Sequence, residues 1–261
     1  MRGTRAMGAI MIRPASRMWN EVLASVLVVG SLTVVQTAPA YEADPAVVGA
    51  TVSGRVIFTG SLPNPDRVPV YRDSQFCGES ISIDRVQVDR SSRGIEGVVI
   101  SLEGIEKGKP FLPNKTIITF ENRTCRFVPR ANATVVGSTL EFRNNDPILH
   151  NTHIRIQNRS GPTVINVVQP AGADVIRKLM RTAGFLDIRC DAHPFMRASI
   201  HVFDHPYFAV TDTTGRYEMP LVPPGSYRIR MWHETVGVRT KTITVPASGS
   251  LALDLELNQE E

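Results

Sequence analysis

The chain has 261 residues, of which 42% are hydrophobic, and its formal net charge is +4. This length suffices for one large or two ordinary globular domains. The sequence contains no basic run with interleaved aromatic residues and no glycine-rich phosphate-binding loop, so it gives no support to a nucleic-acid-binding role.

The N-terminus has the pattern of an export signal. Arginines precede an apolar run at residues 22–35, and Ala38-Pro39-Ala40 fits a small-x-small cleavage site. The run is shorter than the roughly 20 residues that a spanning helix needs. Residues 1–40 are therefore predicted to be a cleaved signal peptide rather than an anchor, which implies a periplasmic or secreted protein without a membrane span. The long basic stretch leaves alternative starts at Met7, Met11 and Met18.

Short strands are predicted throughout the chain from residue 48 onward. Runs of β-branched and aromatic residues are separated by Gly, Pro, Asn and Asp, and no long 3.6-residue periodicity occurs. At most one short helix is expected, at residues 173–182. The pattern predicts an all-β sandwich fold. The predicted strands lie at residues 52–58, 98–102, 116–120, 139–143, 163–168, 185–190, 199–203, 227–232 and 240–245.

Two segments of the chain carry side chains that bind metals. Residues 144–151 supply His150, and the sequence Cys-Asp-Ala-His-Pro-Phe-Met at residues 190–196 supplies Cys190, His193 and Met196. One thiolate, two imidazoles and a thioether form the ligand set of a mononuclear blue-copper site, because soft sulfur holds Cu(I) and imidazole holds either oxidation state. A zinc site would use Cys and His but does not call for Met.

The same two segments resemble the ligand segments of the cupredoxins. The short spacing of the loop is similar to that of amicyanin-like members, whose loop also continues Pro-Phe-Met. The resemblance covers residues 113–204 and implies a Greek-key β-sandwich with one type 1 copper ion. It implies that Asn151 steadies the ligand loop, and it favours His150 over its neighbour His153. The implied metal ligands are His150, Cys190, His193 and Met196.

The resemblance also implies a function. In cupredoxins the residue equivalent to His193 reaches the surface and is the usual exit for the electron, with Pro194 and Phe195 helping to form an apolar rim. The predicted function is single-electron transfer to another exported redox protein, such as a cytochrome or an oxidase. An enzyme is not expected, since four ligands leave no position for a substrate. A copper chaperone or sensor, and a structural envelope protein, remain the alternatives.

The C-terminal part carries a second resemblance. Residues 211–219 and 221–229 resemble the carboxypeptidase regulatory-like domain, a small transthyretin-like sandwich, whose first strands are similar to segments near Gly54 and Val98. We therefore predict a split domain made of residues 48–108 and 206–258, with the cupredoxin domain at 113–204 inserted between its strands. Three sequential units are the alternative arrangement.

The remaining cysteines and histidines leave alternatives open. If Cys190 binds copper, Cys77 and Cys125 can form one disulfide, as export favours, or can remain two buried thiols. His205 and His233 could form a second metal or partner site, although an interfacial structural role is the preferred interpretation. His201, which alternates with apolar neighbours, is expected on the surface.

Overall fold

The structure is a computed structural model that describes residues 41–111 and 116–258. In these ranges strands make up nearly all of the regular structure, and the one helix is a single turn, α1 (Ser74–Cys77). The predicted all-β class is confirmed. The predicted signal segment, residues 1–40, lies outside the described residues. Among the residues that are described, no helix has the length and apolar character needed to cross a membrane.

The strands are numbered in chain order. Most belong to four sheets, while β1 pairs with β6 and β3 pairs with β4 separately. The strands are β1 (Glu42–Ala43), β2 (Ala50–Phe58), β3 (Asp66–Pro69), β4 (Ser80–Ile83), β5 (Val99–Glu103), β6 (Lys107–Gly108), β7 (Ile117–Asn122), β8 (Phe127–Val128), β9 (Ala131–Val135), β10 (Thr139–Asn144), β11 (His150–Ile156), β12 (Thr163–Gln169), β13 (Ile176–Leu179), β14 (Gly184–Arg189), β15 (Arg197–Phe203), β16 (Phe208–Val210), β17 (Arg216–Val222), β18 (Gly225–His233), β19 (Gly237–Val245), β20 (Ser250–Ala252) and β21 (Leu255–Leu257).

The first sandwich combines strands from both ends of the described chain. One sheet has the order β16-β5-β18-β19, and the other has the order β17-β2-β20, with β21 also paired to β2. Side chains at alternate positions of a strand point to the same face, and Ala50, Val52 and Phe58 of β2 are buried in this way. Residues of both sheets share one buried hydrophobic cluster, the first cluster.

The second sandwich contains the segments predicted to bind metal. Its sheets have the orders β13-β10-β7-β8 and β12-β11-β14-β15-β9, with parallel pairing of β10 with β7 and of β15 with β9. The two sheets bury a second cluster between them, in which the rings of Phe120 and Phe142 stack 5.4 Å apart. Stacked sheets of this kind fix the ends of their strands relative to one another.

Residues 66–83, here called the strap, lie in the chain between β2 and β5 of the first sandwich but pack against the second sandwich. The strap consists of the β3–β4 hairpin with α1 at its turn. Its Val70 and Ile81 are buried in the second cluster. Cys77 and Cys125 form a disulfide, which confirms one of the two alternatives left open by the sequence. The strap is therefore attached to the second sandwich both covalently and by apolar packing.

The two clusters draw on different parts of the chain. The buried residues of the first cluster come from 50–58, 86–105 and 207–257. Those of the second come from 120–202, together with two side chains of the strap. The division into a split domain at 48–108 and 206–258 and an inserted domain at 113–204 stays a prediction.

The prediction of a short helix at residues 173–182 is wrong. Residues 176–179 form β13, which pairs in antiparallel fashion with β10. Helix-forming residues such as Lys178 and Leu179 are present, but intrinsic propensity is a weak preference that tertiary pairing overrides.

The prediction that His201 lies on the surface is also wrong. His201 is buried, and its ring lies 5.0 Å from the ring of Phe185 and 4.6 Å from that of Trp232. Alternation correctly separates His201 from the face of Ile200, but that second face packs against Trp232 of the first sandwich instead of water.

Burial of His201 has a measurable consequence for the pH dependence of stability. Loss of hydration, helped by the nearby charge of Arg230, lowers the pKa of His201 to about 4, whereas a histidine in an unfolded chain has a pKa of about 6.5. The unfolded state therefore binds more protons below pH 6.5, and the stability from neutral His201 is lost as the pH falls towards 4.

We expect this titration to remove about 2 kcal/mol of the free energy of unfolding between pH 7 and pH 5. Urea unfolding of the metal-free protein at both pH values measures the loss. Between the same pH values, the free energy of unfolding of the His201→Phe variant should fall by about 2 kcal/mol less than that of wild type. His233, whose pKa is likewise lowered to about 4 by burial, provides a matched second variant. Equal pH slopes for wild type and His201→Phe would contradict the prediction.

Candidate metal centre

The structure brings His150, Cys190 and His193 together at one buried point. The Nδ1 atoms of the two histidines lie 3.1 Å apart. The Sγ atom of Cys190 lies 3.9 Å from Nδ1 of His150 and 3.7 Å from Nδ1 of His193. All three side chains are at most 1% exposed. They form a group that could hold a metal ion.

Strand pairing explains why these residues meet. β14 and β15 are antiparallel neighbours with Arg189 opposite Arg197, so residues 190–196 form the loop that connects them. The loop is closed by hydrogen bonds from Met196 N to His193 O (2.8 Å) and from Cys190 N to Met196 O (3.3 Å). β11 lies beside β14 on the other side, and His150 begins β11. The start of β11 and the end of β14 therefore lie at the same end of the sheet.

His150 is held from behind by a buried carboxylate. Its Nε2 lies 2.9 Å from Oδ2 of Asp146. The same carboxylate accepts hydrogen bonds from the backbone N–H groups of Thr124 (2.7 Å) and Cys125 (2.8 Å). A carboxylate oxygen accepts hydrogen bonds, so this contact favours the tautomer of His150 that carries its proton on Nε2.

His193 is held in the same way by a residue of the strap. Its Nε2 lies 3.1 Å from Oδ2 of Asp73. Hydrogen bonding of the outer ring nitrogen to a carboxylate fixes the tautomer and orientation of a metal-binding histidine. The expectation that His193 reaches the surface is wrong, because the strap covers its outer edge and leaves the side chain 1% exposed.

This arrangement directs two unprotonated nitrogens at each other. With both Nε2 atoms donating to carboxylates, the Nδ1 atoms of neutral His150 and His193 carry lone pairs that face one another across 3.1 Å, beside the Cys190 sulfur. Two facing lone pairs repel unless a proton or a cation lies between them. A point equidistant from the three donor atoms is about 2.1 Å from each, close to ordinary metal–ligand distances to imidazole and thiolate of about 2.0–2.3 Å. The residues therefore fit a metal ion.

The protonation states of the donors also favour a metal. Burial lowers the pKa of His150 and of His193, so both imidazoles are held neutral. Burial raises the pKa of the Cys190 thiol, and metal binding would displace its proton. Neutral imidazoles and a thiol that becomes thiolate are the forms in which these side chains bind metals.

Met196 and Asn151 both lie in or beside the segments predicted to bind metal, and their roles stay predictions. Met196 is buried in the second cluster together with Cys190. The backbone N–H of Asn151 donates to Sγ of Cys190 (3.4 Å), and its side-chain oxygen accepts a hydrogen bond from the backbone N–H of Asp191. Asn151 thus ties the start of the ligand loop to β11.

The other histidines are not part of this group. His153 binds Asp191 through Nδ1 (2.8 Å) and the Thr163 hydroxyl through Nε2 (3.0 Å). Nδ1 of His205 accepts the backbone N–H of Tyr207, and Nδ1 of His233 accepts that of Thr235. These bonds give each of these three rings a hydrogen-bond partner outside the group.

Sequence reasoning did not identify either carboxylate. Asp146 had a local signal, since it precedes His150 by four residues in the predicted ligand segment. Asp73 had none, because it lies 120 residues from His193 in the chain.

Comparisons with known proteins give a partial picture. No protein-family profile and no curated protein sequence matches the chain, so the carboxypeptidase regulatory-like resemblance gains no support. Among solved structures, a Cu-containing nitrite reductase (NirK) from Thermus scotoductus SA-01 is 24% identical over 36% of this chain and 24% of its own, with a TM-score of 0.29. Amicyanin from Paracoccus versutus is 19% identical over 40% of this chain and 97% of its own, with a TM-score of 0.30. At these scores a functional assignment has to rest on the residues of the site.

Proposed function

We propose that the protein binds one copper ion at His150, Cys190 and His193, with Met196 as the weaker fourth ligand, and acts as a type 1 copper electron carrier. The observation that carries the proposal is the convergence of one sulfur and two lone-pair nitrogens at one buried point. Copper bound there would supply one-electron exchange between Cu(II) and Cu(I). Sulfur and imidazole donors suit both states.

The chain's own part in this function is to keep the donor atoms fixed. Asp146 and Asp73 hold the two imidazole rings, and Asn151 holds the ligand loop. A site whose ligands cannot rearrange changes little between oxidation states, and this favours rapid electron exchange. The almost complete burial of the donors also excludes water.

The partner and the location follow from the same proposal. A buried redox centre needs a second redox protein to give or take the electron, and a cytochrome or an oxidase in the periplasm or outside the cell is the proposed partner. Such encounters are typically small and transient. The proposed role is that of a carrier and not an enzyme, because four ligands leave no open position for a substrate.

The test is a visible absorption spectrum of the purified protein titrated with Cu(II). We expect an intense thiolate-to-copper band at one equivalent, bleached by ascorbate and restored by an oxidant. Cys190→Ser should abolish the band, since no thiolate remains to donate charge. The rival histidine provides the matched control, and His153→Gln should retain the band while His150→Gln loses it.

Each other outcome contradicts a defined part of the proposal. A folded wild-type protein without the band would exclude a type 1 site. A band that ascorbate does not bleach would exclude the electron carrier and leave a copper-binding chaperone or sensor. Loss of the band in His153→Gln but not in His150→Gln would exchange the ligand assignment.

A further inference from the structure

The outer edge of His193 is covered by a segment outside the second sandwich. The strap places the Asp73 carboxylate 3.1 Å from Nε2 of His193, and the side chain of Asp73 is 31% exposed while that of His193 is 1% exposed. Asp73 therefore stands between the predicted metal ligand and solvent.

The backbone of the strap fixes Asp73 in place. Asp73 adopts the left-handed conformation, with φ of 56°, which Asp tolerates better than most residues. In this conformation its carbonyl accepts hydrogen bonds from the N–H groups of Phe76 (3.0 Å) and Cys77 (2.9 Å). The position of Asp73 thus depends directly on the position of Cys77.

The disulfide connects the supports of both histidines. Cys77 is bonded to Cys125, and the N–H of Cys125 donates to the Asp146 carboxylate that holds His150. One covalent link therefore joins the segments that carry the two carboxylates.

Further contacts attach the strap to the second sandwich. Val70 and Ile81 are buried in the second cluster. The Arg126 guanidinium donates to the carbonyl of Ser82 (2.6 Å). With the disulfide, these contacts hold the turn of the hairpin and β4 against the second sandwich.

From these contacts we infer that Asp73 is a positioning residue for His193, and that the strap is a cover over the outer edge of the metal centre. The inference rests on the proposed function. Asp73 has three effects in this role. It orients the ring and keeps the His193 proton on Nε2, it adds a negative charge that favours the more highly charged oxidation state, and it keeps solvent from the ring edge.

The test compares wild type with Asp73→Asn and Asp73→Ala. Asp66→Asn is the matched control, since Asp66 is an exposed strap carboxylate paired with Arg85. The first readout is the long-range nitrogen–proton NMR spectrum of histidine in the metal-free protein, where His193 should carry its proton on Nε2 and Asp73→Ala should lose this uniform tautomer. The second and third readouts are the reduction potential and the affinity for copper in competition with a chelator.

We expect Asp73→Ala to weaken copper binding about 10- to 100-fold. Asp73→Asn, which keeps an oxygen acceptor but loses the charge, should raise the reduction potential with a smaller loss of affinity. Asp66→Asn should leave all three readouts at wild-type values.

The failures of the two proposals are distinguishable. A wild-type His193 that carries its proton on Nδ1 would overturn the inference, whatever the copper spectrum shows. The same is true of unchanged affinity and potential in both Asp73 variants when the copper band is normal. The expected tautomer in a protein that gives no thiolate-to-copper band would uphold the positioning role and overturn the proposed function.

Discussion

The Cys77→Ser, Cys125→Ser double variant is expected to lose about 4 kcal/mol of the free energy of unfolding. The disulfide joins residues 48 positions apart, and cross-linking a loop of this length lowers the entropy of the unfolded chain by an amount of that order. Chemical unfolding of the metal-free wild type and double variant, without reducing agent, measures the difference between their free energies of unfolding.

A reducing agent provides the control for this prediction. Wild type should fall towards the stability of the double variant when reductant is added, and the double variant should not respond, because its only remaining cysteine, Cys190, is a free thiol. Equal stability of wild type and double variant under oxidising conditions would show that the strap is held by packing alone.

Replacement of Asp146 by alanine is expected to have a similarly large effect. Asp146 is buried and is hydrogen-bonded to Thr124 N, Cys125 N and Nε2 of His150. Two of these donors, Cys125 N and Nε2 of His150, are buried. Each buried donor left without an acceptor costs about 1–3 kcal/mol, so we expect a loss of at least about 2 kcal/mol in the metal-free protein. Copper affinity should fall about 10- to 100-fold because the His150 ring is no longer held.

Two further variants define the size of this effect. Asp146→Asn retains one oxygen acceptor and should lie between wild type and alanine in both measurements. Asp84→Ala removes an exposed aspartate and should stay within about 0.5 kcal/mol of wild type, as surface substitutions usually do. An Asp146→Ala variant as stable as Asp84→Ala would mean that water replaces the carboxylate at no cost.

Sequence patterns predict those parts of the candidate site whose residues lie close together in the chain. The loop from Cys190 to Met196 could be singled out because three metal-binding side chains fall within seven residues, and the segment around His150 because it resembles a cupredoxin ligand segment. Asp73 could not be predicted, since its contact with His193 depends on how the strap docks. The burial of His201 could not be predicted either. The face of β15 that carries His201 meets protein and not water because Trp232 of another sheet packs against it.

The chain positions of the strands that pair in the first sandwich limit the order in which the chain can fold. Apart from one isolated bridge between Ile57 and Gly94, every strand that pairs with β2 begins at residue 216 or beyond. One bond, from Arg55 N to the Asp254 carboxylate, spans 199 residues. Pairings this distant must overcome loop-closure entropy before they contribute, so they form slowly. During synthesis β2 therefore lacks its strand partners, and an exposed strand edge is prone to aggregation, until nearly the whole chain has been made. The second sandwich finds its strand partners among residues 117–203 and can form earlier.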